Sequence, residues 1–409
     1  MILTYEYRLI PSKAQHRALE TLLESQRVLY NAALEERIGA YRHGISRSFI
    51  DQCKALTEWR QSDAEATAIP VSLQRATLKR LDEAYKGFFR RVKQKGVKAG
   101  FPRFRGKGGW SSFGFVEFSG IRFDGKKLRF KGMPGHLELH MHRPLPVAAL
   151  IRACTFRRDT KGWKVGLAVD VAAAVTRDGQ RCVGVDLGIL TFATLSDGGA
   201  IPSLRAARRA HKQLRRAQRS LARKRRGSRS RAKARVRVAR CHAATARARS
   251  NHLHQASARL IRDYDVIAVE ALNLKGLARS LLARDVLDAS WARFISILRY
   301  KAEKAGACLI EVDPRNSTQD CSSCGIRVQK ALDERWHDCP HCGLSIDRDF
   351  NAARNILHRA VVGPGLRNVA GCGKRAGGNL AFGDSVCHAS LSPNPETLPI
   401  MIGLAPRKQ

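Results

Sequence analysis

Apolar and polar residues alternate from Met1 to Ile10, which predicts a strand, and Pro11-Ser12 breaks the pattern. From Ala14 to Tyr41 the apolar period becomes three to four, with Leu19, Leu22, Leu23, Tyr30, Leu34 and Ile38 on one helical face. A second helical stretch, Val71 to Gln94, repeats it with Leu78, Leu81, Tyr85, Phe88, Phe89 and Val92. Beyond about residue 100 the period falls to two. Short runs occur at Phe113–Phe118, Lys127–Phe130 and Leu137–His142, followed by a hairpin from Cys154 to Val171 that turns at Asp159–Gly162. Several short strands without a good helix predict a small barrel. A lone strand cannot bury its apolar face, so residues 2–10 are expected to join that barrel, with the helical region inserted in it.

From Val183 the pattern becomes α/β. Val183–Gly188 runs into Thr191–Leu195 and a Ser196-Asp197-Gly198 turn, Asp265–Glu270 is a further strand and Ala307–Val312 another. Long helices separate them. Ser290 is a candidate N-cap for a helix whose apolar face carries Trp291, Phe294, Ile295, Leu298 and Ala302. Residues from about Gly363 are rich in Gly, Ser and Pro without a sustained period, and are expected to be a flexible tail.

Charge changes this picture. Among 409 residues, 74 Lys or Arg face 35 Asp or Glu, a net charge of +39. With 44% hydrophobic residues the chain can build cores, so a disordered polycation is excluded, and the partner implied is a polyanion, best matched by nucleic acid. No apolar run reaches the ~18 residues of a membrane span, and the first residues lack the features of a signal peptide. The expected setting is cytoplasmic, with no membrane partner. Leu204 to Ser250 concentrates the charge: 19 Lys or Arg, among them Arg215, Arg216, Arg219, Arg223, Lys224, Arg225 and Arg226, and no Asp or Glu. A solvated helix face mixes both signs; this run predicts a basic helical hairpin, broken at Gly227-Ser228, laid along a phosphate backbone. A smaller patch, Gly100–Lys107 with Trp110, interleaves cations and aromatics (Arg103, Phe104, Arg105). It reads equally as a base-stacking surface or as a loop anchoring its rings at the barrel.

Four of the eleven cysteines form two tight pairs, Cys321/Cys324 and Cys339/Cys342, each followed by a glycine. That spacing suits a closed tetrahedral zinc site of the structural kind, with His337 and His341 as spectators. The seven remaining cysteines are scattered singly, which implies a reducing compartment. Three acidic positions end apolar segments: Asp186, Glu270, and either Asp347 or Asp349 at a helix start. Carboxylates at neighbouring strand ends and one helix start can hold Mg²⁺ for phosphodiester hydrolysis. Singly, each is equally a solvated terminus or a helix cap.

The ordered set of motifs resembles the TnpB family, the insertion-sequence OrfB proteins related to type V CRISPR effectors. The motifs are Arg8–Pro11 with Gln15, Ala84–Arg90, Gly100–Phe104, Gly184–Gly188, Val269–Asn273, Val312–Arg315, both cysteine pairs and Asp347–Ile356. The resemblance implies an OB-like barrel (1–10 and 113–180) interrupted by a helical recognition domain (11–112). It also implies a RuvC-like nuclease of RNase H fold (181–317 and 344–362) with an inserted four-cysteine zinc module (318–343), before a tail (363–409). It places the acidic triad on Asp186, Glu270 and Asp349, with Asp347 as runner-up. Ala271 departs from relatives that carry a second acid after the glutamate, and Asn316–Gln319 is a variant approach to the knuckle. The activity implied is an RNA-guided, Mg²⁺-dependent DNA endonuclease, monomeric, with a guide RNA from the transposon end and double-stranded target DNA. A nuclease-dead RNA-guided regulator and a transposase or accessory DNA-binding protein are the alternatives.

Overall fold

The structure, a computed structural model, describes residues 1–362 apart from 95, 147–148, 173, 178, 273–282 and 332–333. The expected tail and Asn273 lie outside the described residues. The chain divides into two compact units, residues 1–172 and 173–409. Among the described residues no helix is long and apolar enough to cross a membrane.

The first unit is one seven-stranded antiparallel sheet packed against helices. Strand β1 (Ile2–Ile10) buries Tyr5, Tyr7 and Leu9 in strict alternation. Four helices follow, α1 (Lys13–Arg42), α2 (Phe49–Ser62), α3 (Ala64–Ala68) and α4 (Val71–Val92), before the chain returns to the sheet. The remaining strands are β2 (Ser112–Phe115), β3 (Ile121–Phe123), β4 (Lys127–Phe130), β5 (Leu137–His140), β6 (Leu150–Asp159) and β7 (Gly162–Asp170). Their spatial order is β2-β6-β7-β1-β5-β4-β3, so β1 sits between β7 and β5 and the helices interrupt the sheet in sequence. Among the described residues the end strands β2 and β3 are not paired with each other, so the seven strands form a half-barrel sheet. Gln15 explains part of its motif. It completes a capping box with Ser12 and its amide donates to the Pro134 and His136 carbonyls, 3.0 and 2.8 Å away, tying α1 to the β4–β5 loop.

The second unit is built on a five-stranded sheet of order β10-β9-β8-β11-β12. Its strands are β8 (Cys182–Asp186), β9 (Thr191–Leu195), β10 (Ala200–Pro202), β11 (Val266–Glu270) and β12 (Cys308–Val312). The first three form an antiparallel meander, and β11 and β12 run parallel to β8. Between them lie α5 (Ala206–Ala222), α6 (Arg229–Asp263), α7 (Ala283–Ala289) and α8 (Trp291–Ala305). A small ribbon of β13 (Trp336–Asp338) and β14 (Ser345–Asp347) leads into α9 (Arg348–Val362). Alternation along the strands supplies both faces of the sheet. Val183, Val185, Ile267 and Val269 pack in one cluster with Leu260 and Phe294, whereas Val266, Ala268 and Ile310 join Ile356 and Ala360 on the α9 side. Fully burying each Val, Leu, Ile or Phe among them stabilises the fold by roughly 1.5–3 kcal/mol.

Ser290 does not cap α8. It sits at φ 57° without a side-chain cap bond, and its hydroxyl donates to the Leu287 carbonyl at 2.9 Å. The α7 turn directly before it leaves Ser290 in the left-handed region, where its oxygen faces back along the chain instead of toward the α8 amides.

Candidate active site and metal centre

Asp186 and Glu270 end adjacent parallel strands. The register pairs Val269 with Val185, so the two carboxylates stand side by side one residue further on. Period-two alternation puts Gly184 and Asp186 on one face of β8. A Cβ at Gly184 would overlap the Ala353 carbonyl and lie 2.8 Å from the Leu357 nitrogen, so only glycine lets α9 lie this close to β8. That approach brings the first turn of α9, with Asp349, to the end of β8 where Asp186 points. The carboxyl of Asp186 is held well above the usual aspartate range by burial, then by the negative fields of Glu270 and Asp349, with Arg348 opposing. Acids from two other, distant segments thus act on Asp186, although the three sets of oxygens are less tightly gathered than the cysteine sulfurs described below. Mutual repulsion in a partly desolvated cleft fits hard divalent cations such as Mg²⁺, which carboxylate oxygens hold and whose charge offsets theirs.

The environment distinguishes the carboxylates. Glu270 is 8% exposed and accepts a hydrogen bond from Ser317 Oγ. Burial raises its pKa, while the Ser317 hydroxyl and the Arg359 guanidinium pull it down. Asp347 is exposed and caps α9: its Oδ1 accepts from the Asp349 and Phe350 amides at 2.9 and 3.0 Å. Asp349, the second residue of the helix and 20% exposed, lies 3.5 Å from Arg335 and 3.4 Å from Arg348.

The residues around this site were not legible in the sequence beforehand. Asn355 donates to the Ser317 and Asp320 carbonyls, at 2.8 and 2.6 Å, and Asn351 joins the Asp320 carbonyl to the Ser322 amide. Arg359 adds bonds to the Asp313 and Arg315 carbonyls and to the Asp320 carboxylate. The Asn316–Gln319 stretch is therefore bolted to α9, and Ser317 is aimed at Glu270 by that scaffold. The only available signal was the spacing of Asn351, Asn355 and Arg359 at four residues, one stripe of a helix.

The four cysteines converge. Their Sγ atoms all lie within 4.8 Å of one another, with Cys321–Cys342 and Cys324–Cys339 each 3.6 Å apart. Tetrahedral Zn–S bonds of about 2.3 Å require sulfurs about 3.8 Å apart, so the set fits zinc. Gly325 and Gly343, at φ 76° and 71°, turn the backbone so that each donates to the carbonyl of the first cysteine of its pair. Amides of Cys342 and His341 pull Cys339 down to about 6. Cys324 is pushed up to about 12, the Ile326 amide being outweighed by burial and the three other sulfurs, which a cation would relieve. His337 is fully buried, bonded through Nδ1 to Lys330, and stands outside the sulfur set, as does His341.

The basic run folds into α5 and α6, packed antiparallel about a turn at Gly227 (φ 82°). Arg215, Arg216, Arg219, Arg223, Lys224, Arg225 and Arg226 are all exposed. Its base is pinned by Asp288, which accepts from the Ala207 amide at 2.9 Å and from Arg249 at 2.6 Å. In the first unit Arg103, Phe104 and Arg105 are exposed, whereas Trp110, 3% exposed, packs beneath Arg80 and against Tyr30 as a core ring.

Three family profiles match the chain: the IS605 OrfB "Helix-turn-helix domain" at residues 1–46, the IS605 OrfB "Probable transposase" at 166–281, and the "Cas12f1-like, TNB domain" at 291–356. A Streptomyces pristinaespiralis protein, provisionally named an RNA-guided DNA endonuclease, is 32% identical over 378 residues, covering 89% of this chain and 91% of the relative. The chain belongs to the IS605 OrfB, TnpB-like family. InsQ of Escherichia coli K12, provisionally given the same activity, is 25% identical to this OrfB chain over 377 residues, covering 86% and 91% of the two. The Cas12f1 chain of a cryo-EM complex with sgRNA and target DNA shares the fold at TM-score 0.51 and 13% identity, over 85% of this chain and 83% of that one. Within this OrfB chain the segment described as helix-turn-helix is β1 and the single long helix α1. The TNB segment spans α8, β12, the cysteine knuckles and the first half of α9.

Proposed function

We propose that this chain is an RNA-guided DNA endonuclease that hydrolyses phosphodiester bonds with Mg²⁺ held by Asp186, Glu270 and Asp349. The observation that carries the reading is the meeting of three acids at the ends of β8 and β11 and the start of α9, where burial first, and then the charges of Glu270 and Asp349, raise Asp186. The β10-β9-β8-β11-β12 order, a meander followed by parallel strands, supports a RuvC-like (RNase H) nuclease, and the half-barrel with inserted helices supports an OB-like wedge and a recognition domain. The names of the relatives support an RNA guide and a DNA target, and we take the transposon end as the source of that guide.

When bound, Mg²⁺ supplies Lewis-acid polarisation of the phosphodiester and lowers the cost of ionising the attacking water. The protein's own contribution is position. Ser317 holds the Glu270 carboxylate in one orientation, and Asp347 caps α9 so that the first turn presents Asp349. Arg335 and Arg348 offset negative charge beside Asp349. The exposed cations of α5 and α6 hold phosphate backbone, and the four cysteines would hold zinc as a structural closure of the knuckle. Guide pairing then selects the DNA, and the protein reads a short flanking motif.

The test is cleavage by the purified chain with its co-purified RNA, a matching DNA and Mg²⁺. Asp186→Asn is expected to abolish cleavage and keep RNA and DNA binding; cleavage by that variant would overturn the carboxylate assignment. Sequencing the co-purified RNA should give one discrete species, and a random population would overturn the guided reading.

A further inference from the structure

A second acid-free stretch lies in the first unit. Residues 84–116 hold nine Lys or Arg and no Asp or Glu. Where α4 ends and the following segment begins, three aromatic rings stay outside the core: Phe89 is 55% exposed, Phe101 46% and Phe104 54%. Their positions are held. Phe88 lies 5.2 Å from both Phe89 and Phe101, and Tyr85 meets Phe101 edge-on at 5.5 Å. Arg91 donates to the Gly100 carbonyl at 3.0 Å, and five residues on the Arg105 amide donates to Asn31 Oδ1 at 2.7 Å while its carbonyl accepts from Arg27 and Asn31. The segment 100–105 is thus tied at both ends, with Phe101 leaning on Tyr85 and Phe88 and both it and Phe104 about half exposed between the ties.

Each ring keeps about half its surface in water and so forgoes part of the roughly 1.5–3 kcal/mol that full burial contributes, and half-exposed rings held along one short acid-free stretch point to a partner. Exposed Arg90 and Arg103 flank them with no acid in the stretch, which selects a polyanion that also presents flat apolar faces. Unpaired nucleic acid has both properties; a duplex hides its base faces, and a protein partner would need an acidic rim around an apolar patch. We propose that Phe89, Phe101 and Phe104 form a stacking platform for unpaired bases, with Arg90 and Arg103 on the adjoining phosphates. The platform rests on the nucleic-acid reading above but concerns a surface distinct from the carboxylate site.

The test uses the full chain and a fluorescent single-stranded oligonucleotide of about 12 nucleotides, within the span of such sites. Phe89→Leu and Phe104→Leu keep the apolar volume and remove the aromatic face, and each is expected to weaken binding about fivefold or more without changing its salt slope. Arg90→Gln and Arg103→Gln should instead lower that slope by about 0.7 each. In the unaltered chain, an oligonucleotide carrying 5-iodouracil should photocrosslink to these phenylalanines. Crosslinks found only elsewhere, or unchanged affinity in both leucine variants, would overturn the platform. If platform variants bind normally while cleavage still depends on Asp186, the platform fails and the endonuclease reading stands.

Discussion

Ser317 Oγ donates a hydrogen bond to Glu270 Oε1 across 47 residues of sequence, joining the approach to the cysteine knuckle to the end of β11. Both groups are buried, and Asn355 on α9 holds the Ser317 backbone. The folding of a metal knuckle and the orientation of a proposed metal-binding carboxylate are therefore one structural problem. Hydrogen bonds to charged groups contribute about 1.5–3 kcal/mol. Ser317→Ala is expected to slow cleavage about tenfold or more, with RNA binding unchanged, and Ser317→Thr, which keeps the hydroxyl, should restore most of the rate. An alanine variant as fast as the unaltered chain would show that Glu270 needs no such support.

The two aspartates of the α9 start should separate by phenotype. Asp347 accepts two backbone amides, so Asp347→Ala is expected to lower stability by about 1 kcal/mol, seen as a lower melting temperature, and to retain measurable cleavage. Among the described residues Asp349 accepts no backbone cap bond, and Asp349→Asn should leave melting nearly unchanged while abolishing cleavage. The reverse pattern would exchange their roles.

The exposed cations of α5 and α6 predict a salt-dependent contribution to binding. Replacing Arg215, Arg216, Arg219 and Arg223 together by Gln should weaken nucleic-acid binding and reduce the slope of log affinity against log salt by about 0.7–0.9 for each cation that contacts a phosphate. An unchanged slope, measured by titration at several salt concentrations, would place the phosphate contacts elsewhere.

His252 on α6 supplies a pH dependence. Its ring meets Phe192 edge-on at 5.0 Å, Nε2 has no hydrogen-bond partner among the described residues, and burial lowers its pKa. Arg249, Asp285 and Asp288 line the same small cavity. The folded state therefore favours neutral imidazole, whereas the unfolded chain takes up a proton near pH 6.5. As pH falls below about 6.5 the unfolded state gains that proton and stability drops. Between pH 7 and 5 the melting temperature of the unaltered chain should fall more steeply than that of His252→Gln, and parallel curves would remove His252 from the acid response.

Local periodicity was enough for β1, the long helices α1 and α4, the β6–β7 hairpin and the strands that end in Asp186 and Glu270, because alternation and three-to-four spacing are properties of neighbouring residues. It missed α2, α3 and β3, which are short or carry little of the repeating pattern. It also assigned Ser290 a cap that the preceding turn denies it. The knuckle cysteines and the basic hairpin were legible for a similar reason: both are written in contiguous or closely spaced residues.

What the sequence by itself determined is therefore the inventory: the apolar faces, the zinc-type cysteine pairs, the acid-free basic helices and three candidate carboxylates with one ambiguity. Tertiary structure decided what those groups do to one another. It ordered the strands of the first unit into a half-barrel, made Asp347 a cap, turned Trp110 into core while leaving Phe104 exposed, and brought Ser317 to Glu270. Those outcomes depend on contacts between residues tens of positions apart, such as Gly184 against Ala353, and no pattern read along the chain carries the distance that a glycine's missing side chain permits.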